Sequence, residues 1–335
     1  MNVKKMQGFV SEYAIYIVLA VLIIGITVYD PNFIGISSLR DILVQSSTRV
    51  IIALGVAFIL ITGGTDLSAG RMVGLTAVIS ASMLQMQDYP RRFFPNLSEL
   101  PLFVPILLAI AVGLVFGMIN GIIVSKFKVP PFIATLGSMV AIYGINSLYF
   151  DMDPNNSQPI GGLRDDFTKM GSGSIGIGPV SIPNIVIIAI FVCFIVWVMF
   201  NKTRLGKNMY AIGGNEQAAK VSGINVSRNL IIIYSIAGAL YGLAGVLEAA
   251  RTGGATNNYG NMYELDAIAA CVVGGVSTTG GIGKVQGVMA GVLIFTVINY
   301  GLTFIGVGPY WQQIIKGAII VAAVAFDMRK YAAKK

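Results

Sequence analysis

The chain alternates long apolar runs with short polar interruptions, and the spacing of the interruptions sets the expected elements. A helix crossing the hydrocarbon core needs about 20 apolar residues, and shorter segments are tolerated where neighbours cover them. By that measure a first helix is expected over Tyr13–Tyr29, followed by a mixed, partly interfacial stretch from Asp30 to Thr48. Two short apolar segments, Val50–Thr62 and Arg71–Met86, are joined by GGTDLSAG at 63–70. A loop at 87–101 leads to a helix over Leu102–Val124. A tight basic turn with Lys126 and Lys128 then precedes a helix from Pro131 to Phe150. The longest polar loop, 151–183, separates this from a helix over Ile185–Phe200. A second polar segment, 201–228, precedes a helix over Asn229–Ala250. After a loop at 251–262 come a short apolar piece, Leu265–Val273, a glycine-rich turn at 274–283, and helices over Val285–Ile305 and Tyr310–Phe326. The turns GGTDLSAG and GGVSTTGG each follow a short apolar segment, a weak internal repeat of the kind transporters build pathways from.

Composition narrows the class. Of 335 residues 55% are hydrophobic and 11% charged, with a mean hydropathy of +0.77, whereas a soluble domain carries about 25% charged residues. The expectation is an all-α integral membrane protein of about ten transmembrane helices, some short and broken, forming a single domain over 1–335. The basic N-terminal run continues into apolar sequence without a small-residue cleavage site, so it reads as a retained first helix.

The net charge of +8 would suggest nucleic acid in a soluble protein, but here the cations gather at helix ends and report orientation. Lys4, Lys5, Lys126, Lys128, Lys284 and the tail with Arg329, Lys330, Lys334 and Lys335 all fall on one side, with both termini expected in the cytoplasm. The segment 201–228 joins them, with Lys202, Arg204, Lys207, Lys220 and Arg228 against Glu216 alone. The acidic loop 151–183, with Asp151, Asp153, Asp165 and Asp166, falls on the other side. Arg91 and Arg92 run against the trend.

Catalytic chemistry finds little footing. Histidine is absent from the chain, which removes the commonest general base and metal ligand. Cys193 and Cys271 lie in apolar segments, unsuited to a disulfide framework or a zinc site. Gly283-Lys284 lacks the rest of a Walker A loop, so no ATP hydrolysis is expected of this chain itself. The match to G-x-G-x-x-G at 171–176 has no strand before it and reads as chance. No catalytic residue, metal or cofactor is expected.

Polar residues inside apolar segments are the remaining candidates. Asp66, with Ser68 beside it, reads either as a gate or pathway element or as a cap on the following helix. Thr65, Ser68 and Arg71 offer it partners. Glu264, Asp266 and Lys316 lie near membrane segments, where they can pair across helices or meet substrate hydroxyls. Asn146, Asn299 and Tyr300 can hydrogen-bond a polar, uncharged substrate or a neighbouring helix. Glu248 and Arg251 stand at the spacing of a local ion pair, and Ala237, Gly238, Gly242 and Gly245 read as close helix packing.

Glu216-Gln217-Ala218-Ala219, three residues and then Gly223 resembles the E-A-A…G coupling loop of bacterial ABC-importer permeases, with E-Q-A-A in place of E-A-A. TRLGKNMYAIGGNEQAAKVSGINV, GGTDLSAG, Tyr263–Ser277 and Val297–Ile319 together resemble the ribose/galactose branch of the sugar-importer permeases over more than half the chain. The resemblance implies a permease moving galactose or methyl galactoside across a bacterial inner membrane. Ribose, another monosaccharide, a nucleoside or an autoinducer-like furanose stay open. It implies an ATPase subunit with two nucleotide-binding cassettes, a periplasmic sugar-binding protein and a second copy of the chain as partners. Gly213, Gly214, Asn215, Glu216, Ala218, Ala219 and Gly223 become the expected ATPase-coupling residues, with Gly213-Gly214 allowing a sharp entry turn and the small residues keeping a coupling helix thin. From another class, an ion-coupled secondary carrier using Asp66 or Asp266 leaves the coupling loop without a task. A membrane-embedded enzyme lacks a nucleophile–base pair.

Overall fold

The computed structural model describes residues 19–177 and 180–332. The expected first helix before residue 19, the lysines at 4 and 5 and those at 334 and 335 lie outside the described residues. Helix α1 (Leu19–Tyr29) and a 3-10 turn (Pro31–Ile34) lead into α2 (Ile36–Ile61). The stretch expected to be interfacial is therefore the first half of one 26-residue helix, and Val50–Thr62 is no short segment. Several of its polar residues are tolerated because they find partners inside the protein. Ser46 and Ser47 donate to the Leu43 carbonyl, Thr48 to Glu248 and Arg49 to Asp266.

The chain continues through α3 (Ala69–Met83), α4 (Phe103–Ser125), α5 (Pro131–Asp151) and α6 (Asp165–Ser172). An antiparallel hairpin of β1 (Ser174–Ile177) and β2 (Val180–Pro183), pairing Ser174 with Pro183 and Ile177 with Val180, leads into α7 (Asn184–Lys202). Then come α8 (Arg204–Gly214), α9 (Glu216–Val221), α10 (Val226–Thr252), α11 (Tyr263–Val273), α12 (Val285–Phe304) and α13 (Pro309–Ala332). Among the described residues, α2, α4, α5, α7, α10 and α12 are long and apolar enough to cross a bilayer.

Helix α10 is the axis of the bundle, packed on α2, α3 and α4. Against α4 the contact is backbone on backbone. A Cβ added at Gly113 would strike the Gly238 carbonyl, one at Gly238 the Gly113 carbonyl, and one at Gly117 the Tyr234 carbonyl. Glycine at four-residue spacing on both helices lets them approach this closely, the usual means of association where no hydrophobic effect drives it. Gly245 meets Val73 and Thr76 of α3 in the same way, so the small residues of α10 serve packing, as their spacing suggests.

The described residues of 151–183 are structured. The bridge Ile160–Ala255, the bonds from Met86 N to Gly162 O and from Arg164 N to Leu84 O, and Gln85 Nε2 on Gly161 O knit three loops into a layer over one end of the bundle. Gly171 of α6 presses on the backbone of Ala250 and Arg251. The G-x-G-x-x-G match runs from helix into strand, the reverse of the order a dinucleotide fold needs. Arg92, an exception to the charge trend, directs its guanidinium onto the Pro95 and Leu97 carbonyls and Gln87, so its charge is held locally. Helices α8 and α9 cover the opposite end.

Candidate functional site

The polar residues fall into three groups along the bundle. The first surrounds Asp66, which is fully buried in the turn between α2 and α3. Its Oδ1 accepts from Ser68 N at 2.8 Å and Ser68 Oγ at 2.6 Å. Ser68, the N-cap residue of α3, makes no side-chain capping bond, so the carboxylate shapes the turn before the helix rather than capping it. Asn120 Nδ2 of α4 donates to Ser68 Oγ at 3.0 Å, and Ser138 Oγ of α5 donates to Asn120 Oδ1. All these donors point toward one carboxylate, and such chains polarise one another. The Tyr241 hydroxyl lies beside Asp66 at a geometry short of a formed bond. Thr65 contributes its carbonyl to Thr135, and Arg71 turns elsewhere. Asp66→Asn keeps the accepting oxygen and is expected to leave folding intact, whereas Asp66→Ala strands both Ser68 donors at a cost of about 1–3 kcal/mol. Thermal melts of the purified chain separate the two. Loss of transport in a well-folded Asn variant would assign the carboxylate to gating.

The second group lies where α3, α5 and the start of α11 meet. Arg71 Nη2 donates to Asn261 Oδ1 at 2.7 Å while its guanidinium sits 4.3 Å over the Tyr143 ring. Asn146, one turn beyond Tyr143 and 1% exposed, donates to the Asn257 carbonyl. Glu264 is 7% exposed and abuts Gly70. Three buried atoms here have no hydrogen-bond partner: Arg71 Nη1, Asn146 Oδ1 and Glu264 Oε2. Buried polar groups are nearly always satisfied, so one donor and two acceptors free on adjoining elements can take water or a polar ligand.

The third group lines a pocket of about 220 Å³ that includes Gln45, Arg49, Asp266, Asn299, Gln312 and Lys316. Asp266 Oδ2 accepts from Arg49 of α2 and Lys316 of α13, each at 3.2 Å. The Arg49 guanidinium lies 3.5 Å from the Tyr263 ring centre, and the Tyr263 hydroxyl donates to Glu248 Oε1 at 3.1 Å. Glu248 pairs with Arg251 at 2.6 Å, the local pair its spacing predicts. Asn299 Oδ1 is unpartnered. Tyr300 points away from the pocket, donating to Asp41 and packing beside Phe33 and Phe304. The structure thus brings Asp66 to Ser68, Glu264 to the group holding Asn146, and Asp266 to Asn299, but it does not join all seven in one site.

At the far end α8 and α9 meet at Asn215, whose Oδ1 accepts from Ala218 N. Gly213 and Gly214 are not the turn expected; they complete the last turn of α8. A Cβ on Gly213 would overlap the Ile61 carbonyl oxygen and lie 2.6 Å from Gly281 N, while Gly214 faces open space. Gly281 N itself donates to Ile61 O at 2.8 Å, so the end of α2, the glycine turn before α12 and the end of α8 meet at one point. Tyr210 reinforces it by donating to the Gly283 carbonyl at 2.8 Å, and burial holds its phenol above the usual range, where it remains a donor. On α9, Ala219 is buried against Ile212, Val226 and Leu230 of its own chain. Glu216 and Lys220 pair at 2.7 Å, and Val221 is 90% exposed. Gly223 takes the left-handed φ of +82° that ends the helix.

Sequence reasoning missed Arg49, Tyr143, Asn120 and Val221. Arg49 borders the apolar run 50–61, but nothing in the local sequence marks its partner on α11. Over residues 38–324 the chain matches the family described as branched-chain amino acid transport system / permease component. It is similar to the galactose/methyl galactoside import permease protein MglC of Escherichia coli (strain K12), 53% identical over 335 residues covering 100% of this chain and 99% of the relative. MglC of Haemophilus influenzae is 56% identical over 332 residues, 99% of this chain and 98% of that one. The ribose import permease protein RbsC of Escherichia coli (strain K12) is 38% identical over 324 residues, 97% and 96% of the two chains. No solved structure matches. A bundle of apolar helices with polar groups between them and likeness along its whole length agree: the chain belongs to this family of multi-pass, membrane-embedded transport permeases.

Proposed function

We propose that this chain is the membrane permease of an ATP-driven importer that carries galactose or methyl galactoside into a bacterial cell through the inner membrane. The observation that carries the reading is the trio of unpartnered buried atoms on Arg71, Asn146 and Glu264. A neutral sugar presents hydroxyls that both donate and accept, which suits one donor and two acceptors without bringing net charge into the bilayer. The choice of hexose rests on the full-length likeness to galactoside permeases, which exceeds that to the ribose permease.

Energy enters at the basic end. Helix α9, with Ala218 and Val221 facing outward, is the surface for an ATPase subunit with two nucleotide-binding cassettes. The point where Gly213 meets Ile61 and Gly281 passes its movement to the α2–α3 and α11–α12 turns. The layer of α6, the hairpin and loop 84–101 faces the periplasm and receives the sugar-binding protein. The exposed stripe of Gly137, Ala141 and Gly144 on α5 is smooth enough for a second copy. Nucleic acid has no part.

Uptake into vesicles holding the chain with its ATPase tests this, with a panel of sugars competing. Galactose and methyl galactoside should block uptake, and Ala218→Arg should cut co-purification of the ATPase while leaving the melt unchanged. Competition by ribose alone would move the substrate to the pentoses. Uptake that survives ATP depletion while a proton gradient is held would instead mark an ion-coupled carrier.

A further inference from the structure

Between α7 and α12, away from the polar groups above, lies a second pocket of about 370 Å³. Its wall is apolar: Cys193, Phe194 and Trp197 on α7 face Val285 and Met289 on α12, with Gln286 as the polar exception. Phe194 and Trp197 stack with ring centres 6.4 Å apart, and Phe194 is mostly exposed. The pocket lies toward the end of the bundle covered by α8, where α7 finishes and α12 begins.

A lysine stands next to the pocket on each of its two helices. Lys202 Nζ stands 5.9 Å over the Trp197 ring, and Lys284 precedes α12. Lys284, the N-cap residue of α12, makes no side-chain capping bond, and the positive dipole end of α12 begins at residues lining the pocket. Counter-charge from the walls is lacking. No acidic residue occurs between Asp166 and Glu216, or between Asp266 and Asp327. An apolar groove between two spans, with Lys202 at the end of one and Lys284 at the start of the other, matches a molecule with an acyl chain and an anionic head. Basic pockets between membrane helices hold such headgroups, and interfacial tryptophan marks the depth at which the head sits.

We propose that the α7–α12 groove is a binding site for an anionic phospholipid of the leaflet on the α8–α9 side. An acyl chain lies on Phe194, Trp197 and Met289, and the phosphate sits between Lys202, Lys284 and the first turn of α12. The lipid would brace the start of α12 next to the Gly283 carbonyl held by Tyr210, so its presence bears on the glycine turn that α8 contacts.

The test is native mass spectrometry of the purified full chain in detergent with equal amounts of phosphatidylglycerol and phosphatidylethanolamine. Preferential retention of phosphatidylglycerol is expected, weakened about fivefold by each of Lys202→Gln and Lys284→Gln. Met289→Trp, which fills the slot, should lower retention of both lipids. Lys126→Gln/Lys128→Gln, on a different turn, should change nothing. Equal retention of the two lipids, or a preference that survives the Lys202→Gln/Lys284→Gln pair, would overturn the assignment. So would a Met289→Trp variant that retains lipid as before. None of these readouts depends on which sugar is carried or on ATP.

Discussion

Gly213→Ala is expected to destabilise the chain and abolish ATP-driven uptake, although alanine is the better helix former by about 1 kcal/mol. The methyl group has no room: the Ile61 carbonyl and the Gly281 amide are both backbone and cannot swing aside. Overpacking of this kind costs about 1–3 kcal/mol, enough to reverse the propensity gain. It would also pry apart the hydrogen bond from Gly281 to Ile61, which ties the two glycine turns together. Gly214→Ala, one residue on, meets nothing within 4 Å and is expected to be silent or slightly stabilising. Melting temperature and vesicle uptake for this pair, measured side by side, decide the matter. If both variants behave alike, the contact at Gly213 is not what joins α8 to the bundle.

Glu248→Ala is expected to be the most destabilising single change, at about 3–5 kcal/mol. The side chain is 3% exposed and accepts from Arg251, Thr48 and Tyr263, so truncation leaves a guanidinium, a hydroxyl and a phenol without their acceptor. Two of those donors lead onward, through Arg49 stacked on Tyr263, to Asp266 and Lys316. Damage at Glu248 is therefore felt in four helices. Unfolding titrations in mixed micelles should show Glu248→Ala far below wild type, with the Glu248→Ala/Arg251→Ala double variant recovering part of the loss. Strict additivity of the two single losses would mean that the pair does not act as a unit.

Reading the chain alone captured what local sequence encodes. Runs of apolar residues placed α4, α5, α7, α10 and α12 within a few positions, because length and hydropathy suffice for a helix that faces lipid on one side. The glycine spacing of α10 and the pair Glu248–Arg251 were legible for the same reason: their partners lie within one or two turns or repeat at helical period. The first half of α2 was not legible. Asp41, Thr48 and Arg49 look interfacial until their partners appear, and those partners lie 200 or more positions away on α10, α11 and α12. Gly213 was singled out for the wrong reason, because a Gly-Gly pair signals a turn in sequence while close approach to another backbone leaves no local trace. Ala219 likewise looked like a surface residue of a thin helix and is packed inward, leaving Val221 as the exposed apolar group.

The glycine seam between α4 and α10 has a consequence for motion. Where carbonyl rests directly on Cα there are no rotamers to readjust, so the two helices have no soft coordinate along which to slide or hinge past each other. They are expected to travel together through a transport cycle, with rearrangement falling to the helices around them. Distances measured from α4 or α10 to any third helix therefore share one origin and report the displacement of that helix alone.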